Sequence, residues 1–200
     1  MKFNLLSKIF SKVPVIQTKN LILREIKKSD VDDMYEYSSN PKTSEFLLWD
    51  VHKSKEFTAK FINYIIDKYK SGEYSDWAIE FKHNNKMIGT AGYTKIDETN
   101  MVAEIGYVLN PNYWGNGIAT EAAFAVIAFA FEKLNMHRVE AKFMQGNDAS
   151  LGVMKKLGMT FEGYRRDLMF VKGQYRTIGT SSILRDEFER YKEKMMQKDN

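Results

Sequence analysis

The sequence predicts an α+β domain built on a mixed, mostly antiparallel central sheet flanked by helices. Three observations carry this. The apolar pattern alternates between periods of two and 3.6 in the order β-α-α-β-β-β-α-β-α-β-β. The three middle strand patterns follow one another through short polar turns, as in a meander. No β-α-β unit opens the chain, so a doubly wound sheet is excluded.

Residues 1–14 form a basic appendage. Leu5, Leu6, Ile9, Phe10 and Val13 share one helical face, with Lys2, Lys8 and Lys12 elsewhere, and Pro14 closes the segment. Such a helix packs on its own domain or touches a membrane; it lacks the cleavage site of a signal peptide. The domain proper spans 15–187. It opens with a strand over Leu21 to Ile26, in which Leu21 and Leu23 alternate with Ile22 and Arg24. Ser29 suits an N-cap, with Asp30, Asp32 and Asp33 in the first turn of a helix that Pro41 stops. A second helix is predicted from Ser54 to Lys70, with Phe57, Phe61, Ile62, Ile65 and Ile66 on its inner face and Gly72 ending it.

Strands follow at Trp77 to Lys82, Lys86 to Ile96 and Met101 to Leu109. Gly117 to Leu134 reads as a long helix rich in alanine and phenylalanine. Next come a strand from Arg138 to Met144 and a helix from Ala149 to Leu157, ended by Gly158. Two last strands, Thr160 to Val171 and Tyr175 to Leu184, bracket Lys172-Gly173. Residues 188–200 are a charged, helix-prone tail with a disordered end.

At 200 residues the chain is long enough for one core without staples. It has no cysteine, which excludes disulfides, thiolate metal sites and a cysteine nucleophile, and fits a cytoplasmic setting. The three histidines, His52, His83 and His137, lack ligand spacing, so no metal is expected. A net charge of +4 is compatible with an anionic cofactor, but no basic, aromatic-interleaved stripe points to direct nucleic-acid reading. The most apolar run, Ala122 to Phe131, is half the ~20 residues of a membrane span.

The segment richest in chemistry is Asn110-Pro111-Asn112-Tyr113-Trp114-Gly115-Asn116-Gly117-Ile118-Ala119-Thr120-Glu121. A strand ends, a glycine loop turns and a helix begins. Amides at a helix N-terminus bind phosphate oxygens, and glycines let the backbone approach the anion. Ile118 and Ala119 stand where a Walker loop needs lysine and serine or threonine. Thr120 stands where a dinucleotide fingerprint needs its third glycine.

Trp114 to Thr120 resembles the pyrophosphate loop of the GNAT N-acetyltransferases, and more narrowly of the RimJ/RimL-type branch that acetylates ribosomal-protein N-termini. Thr18-Lys19-Asn20-Leu21-Ile22-Leu23-Arg24 is similar to that branch's opening strand. Glu104 to Leu109 resembles the strand before the loop. Asn147-Asp148-Ala149-Ser150, Lys156 to Met159 and Phe161-Glu162-Gly163 resemble later segments. The broader superfamily opens its loop with arginine or glutamine, where Trp114 stands; the narrower branch often has tryptophan.

The resemblance implies acetyl-CoA as cosubstrate. Trp114, Gly115, Asn116, Gly117, Ile118, Ala119 and Thr120 would hold its pyrophosphate. The backbones of Val108 and Leu109 would hold the pantetheine arm and the thioester oxygen, where a peptide N–H stabilises developing charge. Asn147 would hydrogen-bond the arm, and Ser150 would protonate the leaving thiolate; equally, Asn147 or Asp148 suits the N-cap of its helix. Glu104 is the first choice of general base, acting through water, with a surface glutamate at a sheet edge as the alternative. Where the ribosomal-protein enzymes can carry another carboxylate, before the Lys172-Gly173 hairpin, Met169 stands, with Asp167 two residues earlier. Glu162 reads as structural. Phe46, Trp49 and Tyr74 fall near the region in which the family builds its acceptor pocket, though core packing accounts for them equally well.

The expected activity is acetyl transfer to a primary amine by direct attack. A protein N-terminal α-amine is the first choice of acceptor, and a small amine such as an antibiotic, polyamine or amino acid the second. A non-catalytic acyl-CoA-binding module is the reading from another class.

Overall fold

The structure, a computed structural model, describes residues 9–10, 12–73 and 76–198, with side chains as far as residue 193. Most of the predicted appendage helix, including Leu5 and Leu6, lies outside the described residues, as does Tyr74. Two compact units emerge. The first comprises the chain up to Thr94 together with Gly106–Val126; the second comprises Lys95–Ile105 and the chain from Ile127 on.

In the first unit the strands are β1 (Ile16–Gln17), β2 (Leu21–Arg24), β3 (Trp77–Phe81), β4 (Lys86–Asp97, to Thr94) and the later part of β5 (Val102–Leu109), hydrogen-bonded in that order. β1 with β2, β2 with β3, and β3 with β4 are antiparallel. The helices are α1 (Val31–Ser38), α2 (Pro41–Ser44), α3 (Lys55–Lys70) and the opening of α4 (Ile118–Glu132). Phe10, Trp77 and Tyr93 meet edge to face at 5.8–6.3 Å, and the Trp77 indole donates to the Pro14 carbonyl at 2.7 Å. Phe10 and Val13 are thereby part of this core, and Phe10 is fully buried.

The second unit has the early part of β5, then β6 (Arg138–Met144), β8 (Gln174–Leu184) and β7 (Thr160–Val171) in that order, with α5 (Asp148–Lys156) and α6 (Arg185–Lys198). β5 and β6 are parallel, as a crossover through α4 requires. β6 with β8 and β7 with β8 are antiparallel. Phe131 stacks on Phe188 at 4.9 Å, and Arg185 donates to the carbonyls of Phe131 and Met136, tying the end of α4 to α6.

The order matches the expected one with two additions, β1 and α2, and the helix-prone tail forms α6. Three local expectations are corrected. Ser29 does not cap α1; it sits within a 3-10 turn, Lys28–Asp30, whose Asp30 carboxylate accepts from the Lys27 amide at 2.7 Å. Pro41 does not merely stop α1. It opens α2 at a position needing no amide, with Asn40 as N-cap. The buried face of α3 is Thr58, Ile62, Ile65 and Tyr69, whereas Phe57 and Phe61 are exposed. Arg24, which alternates with Leu23 along β2, is also buried, on Asp30 and Glu80.

Asp76 leads into β3 and is partly buried; the Tyr69 hydroxyl donates to its main-chain oxygen at 2.5 Å. Burial pushes its carboxyl up to about 6. A carboxyl raised on folding holds its proton longer in the folded chain. Stability therefore falls as pH rises from the ordinary aspartate value through 6, then levels off. Asp76→Asn is expected to abolish that decline and to be more stable at pH 7.5 by about 1–2 kcal/mol. Urea unfolding at pH 4.5, 6 and 7.5 checks it; parallel curves for the two proteins would reject it.

Candidate active site

Two sets of residues carry the predicted chemistry, one in each unit. In the first, the important features are the end of β5 and the loop after it. The parallel ladder with β6 ends at Ile105 opposite Ala141, and β5 continues to Leu109. Here β4 comes very close: a Cβ on Gly89 would stand 2.1 Å from the Val108 carbonyl oxygen and 3.0 Å from the Leu109 Cα. Only glycine permits that approach. One residue further, the Asn110 amide donates to the Ile88 carbonyl at 2.8 Å.

The turn that follows is fixed by its own side chains. Buried Asn110 accepts from the Asn112 amide at 3.0 Å and donates to Glu36 of α1 at 2.9 Å. That hydrogen bond, with Lys86 at 3.2 Å, holds the Glu36 carboxyl below its ordinary value against a smaller opposing effect of burial. The Trp114 indole donates to the Leu109 carbonyl at 2.8 Å. Trp114 thus braces the strand end with the side chain that departs from the wider superfamily. Asn116 in turn donates to the Trp114 carbonyl at 3.2 Å, closing the loop on itself.

Gly115 and Gly117 have φ of +80° and +76°, and nothing lies within 4 Å of where a Cβ would be. Backbone conformation, not crowding, demands glycine at both. Ile118 is buried and anchors the start of α4, so the amides of Ile118, Ala119 and Thr120 form a helix terminus with no intrahelical acceptor. Glu121, in the same turn, could compete with an anion there, but its carboxylate is engaged elsewhere. It accepts from the Thr18 hydroxyl at 2.5 Å, the Asn20 amide at 2.7 Å and the Asn20 side chain at 2.8 Å. Burial alone would raise this carboxyl; those hydrogen bonds outweigh burial and hold it low. Open amides, an exposed loop and an occupied acidic side chain fit a diphosphate.

In the second unit, Asn147 and Ser150 meet directly: the Asn147 side-chain oxygen accepts from the Ser150 amide at 3.1 Å as the N-cap of α5. The cap uses the oxygen and leaves the amide nitrogen of Asn147 for other work. Glu104 lies opposite Glu140 of β6, on a strand paired on both sides, so it is not at a sheet edge. Its carboxylate is ion-paired with Lys142. Glu162 is bound by Arg138 and by the Ser182 hydroxyl, a structural role. Met169 faces Arg176 across the hairpin, while Asp167 sits in the β7 bulge at φ +49° with its amide on Thr177. Among the described residues no group of three or more acidic or histidine side chains could hold a metal.

Sequence reasoning missed three contributors: Gly89, Asn110 and the clamp of Thr18 and Asn20 on Glu121. Asn110, which opens the glycine-loop segment, and Thr18 and Asn20, in the opening-strand motif, lie in segments that the sequence singles out; Gly89 does not.

Comparison with known proteins gives the family. Residues 20–160 match the family described as Acetyltransferase (GNAT) domain. The N-acetyltransferase p20 of Bacillus licheniformis is 32% identical over 177 residues, covering 86% of this chain and 97% of that protein. A GNAT-family acetyltransferase structure from Bacillus anthracis superposes with a TM-score of 0.77 at 26% identity, over 86% of this chain and 99% of that one. Two further relatives are named for acceptors. The candidate ribosomal N-acetyltransferase YdaF of Bacillus subtilis is 29% identical over 62% of this chain and 73% of its own length. Spermidine N(1)-acetyltransferase of Escherichia coli is 30% identical over 49% and 54%. The chain belongs to the GNAT family of N-acetyltransferases.

Proposed function

We propose that this acetyltransferase moves the acetyl group of acetyl-CoA onto the α-amine of a protein N-terminus. The observation that carries the acetyl-CoA part is the open helix terminus at Ile118 to Thr120, with Gly115 and Gly117 in front and Glu121 turned away. The amides of Gly115 to Thr120 take the pyrophosphate, and the backbone of Val108 takes the arm. The Leu109 carbonyl already has the Trp114 indole as donor, so Leu109 serves through its amide.

The amine attacks the thioester carbon and the C–S bond breaks. Glu104 takes one proton from the ammonium through water before the attack; as the tetrahedral intermediate collapses, Ser150 gives the departing thiolate its proton and regains one from the newly acetylated nitrogen. One oxygen of the Glu104 carboxylate is ion-paired with Lys142. The N-terminal acceptor is supported by the Trp114 to Thr120 motif and by YdaF. A second reading, a polyamine or other small amine, is favoured by the spermidine relative.

The test is CoA thiol release against short peptides with free N-termini and against small amines. Turnover on peptides alone supports the first reading; turnover on small amines alone replaces it with the second. Ser150→Ala and Glu104→Gln are each expected to lower kcat by roughly 10²-fold or more, with CoA affinity little changed. No turnover with any acceptor, while acetyl-CoA still binds, would instead identify a binding module.

A further inference from the structure

In the first unit, a carboxylate stands where it would oppose an anion at the glycine loop, and a turn distant in sequence holds it off. Glu121 lies in the first turn of α4. The positive end of a helix attracts a carboxylate as it attracts a phosphate. A loose Glu121 would place its negative charge beside the open amides of Ile118, Ala119 and Thr120, where it would repel a second anion.

The turn between β1 and β2 grips that side chain. The turn is closed on itself: the Thr18 amide donates to the Leu21 carbonyl at 3.0 Å, and the Leu21 amide donates to the Thr18 hydroxyl oxygen at 3.1 Å. The hydroxyl has a single proton to give. Its shorter contact is to Glu121 Oε1, at 2.5 Å, against 3.3 Å to the Leu21 carbonyl. The Asn20 amide reaches the same oxygen at 2.7 Å, and the Asn20 side chain takes Oε2 at 2.8 Å. Both carboxylate oxygens are thus engaged from one turn. Behind it, Lys82 donates to the Thr18 carbonyl through its side chain and to the Asn20 carbonyl through its amide. Burial opposes the charged carboxyl; the Thr18 and Asn20 hydrogen bonds, helped by the charge of Lys82, outweigh burial.

We propose that Thr18 and Asn20 are positioning residues for acetyl-CoA: they hold the Glu121 carboxylate off the amides of Ile118 to Thr120 and so set the affinity for the cosubstrate's diphosphate. The proposal rests on the reading that those amides take the pyrophosphate. Both residues act through Glu121. β1 and β2 pair only at Ile16 with Leu23 and Gln17 with Ile22, so the donors of the turn are not used by the ladder. A clamp that merely stapled the turn to α4 would weaken the protein when cut, and removing the Glu121 charge as well would return nothing. A clamp that restrains a competing charge gives the opposite sign: once it is cut, removing the charge restores cosubstrate binding.

Calorimetric titration of the full chain with CoA tests it. Thr18→Val combined with Asn20→Ala removes two of the three donors and should weaken CoA binding roughly fivefold or more, as a carboxylate set free beside a diphosphate requires. Adding Glu121→Gln to that pair should bring the affinity back to within about twofold of the parent. The KM of acetyl-CoA should follow the same pattern, with kcat little changed. Thr18→Ser, which keeps the hydroxyl, should bind CoA as the parent does.

Unchanged CoA affinity in the double variant overturns the proposal. So does a loss that Glu121→Gln leaves in place, which would make the clamp a staple. Should the double variant not fold, Thr18→Val alone decides: a loss of about twofold that Glu121→Gln reverses supports the proposal, and no loss, or one not reversed, overturns it. A parent chain that binds neither CoA nor acetyl-CoA overturns the reading of the glycine loop and this proposal with it. A parent that binds CoA, with variants that bind it equally well, overturns this proposal alone.

Discussion

Gly89→Ala is expected to cost about 100-fold or more in kcat/KM and to lower stability by about 3 kcal/mol or more. The added carbon would lie 2.1 Å from the Val108 oxygen and 3.0 Å from the Leu109 Cα, and both obstacles are backbone. No rotamer change relieves such a contact; β4 and the end of β5 must separate. Overpacking of this kind costs about 1–3 kcal/mol when side chains can yield, and here they cannot. A displacement of about 1 Å at a reacting centre can cost 10²-fold in rate. Two other glycines calibrate the result. A Cβ on Gly106 would meet only the Thr94 methyl, at 2.9 Å, so Gly106→Ala is expected to be milder. Gly152 lies within α5 with open space around it, so Gly152→Ala is expected to stabilise by about 0.5–1 kcal/mol. Thermal melts and steady-state kinetics on the three variants check the order. A Gly89→Ala protein as stable and active as Gly106→Ala would refute the account of the strand end.

The parts of this site legible in the sequence are those governed by local rules. The glycine loop before α4 was legible because two glycines followed by an alanine-rich run leave few alternatives to a turn and a helix start. Asn147 was legible as an N-cap for the same reason, and its side chain does cap α5. What escaped depends on contacts between distant residues. Glu121 is about a hundred residues from Thr18 and Asn20, and no periodicity announces a carboxylate shared that way. Gly89 reads as any glycine in a strand until the strand beside it is known. On α3, Phe57 and Phe61 were placed inside because they are apolar at helical spacing. The face actually buried is centred on Thr58, Ile62, Ile65 and Tyr69, and the aromatics pack against His52 at its margin.

Arg24 shows the same limit, and its replacement carries the second large effect. It alternates with Leu23 along the strand and carries a charge, yet it is 8% exposed. Its guanidinium forms two parallel bonds to Asp30, at 2.8 and 2.9 Å, and a third to Glu80 of β3. Asp30 also closes the turn before α1, so the arginine joins two strands to the first helix. Arg24→Met keeps the bulk but leaves two carboxylates without their cation. Removing one partner of a buried ion pair costs about 3–5 kcal/mol. For a chain of this length that corresponds to a Tm lower by about 10 °C. The charge, not the volume, is responsible, so Arg24→Met combined with Asp30→Asn and Glu80→Gln is expected to regain most of the loss. Arg24→Lys should fall between, because an ammonium cannot reproduce the planar fork. Urea denaturation of the four proteins at pH 7.5 decides. A loss below about 1 kcal/mol in Arg24→Met, or a triple variant no more stable than the single one, would show that burial of Arg24 contributes packing alone.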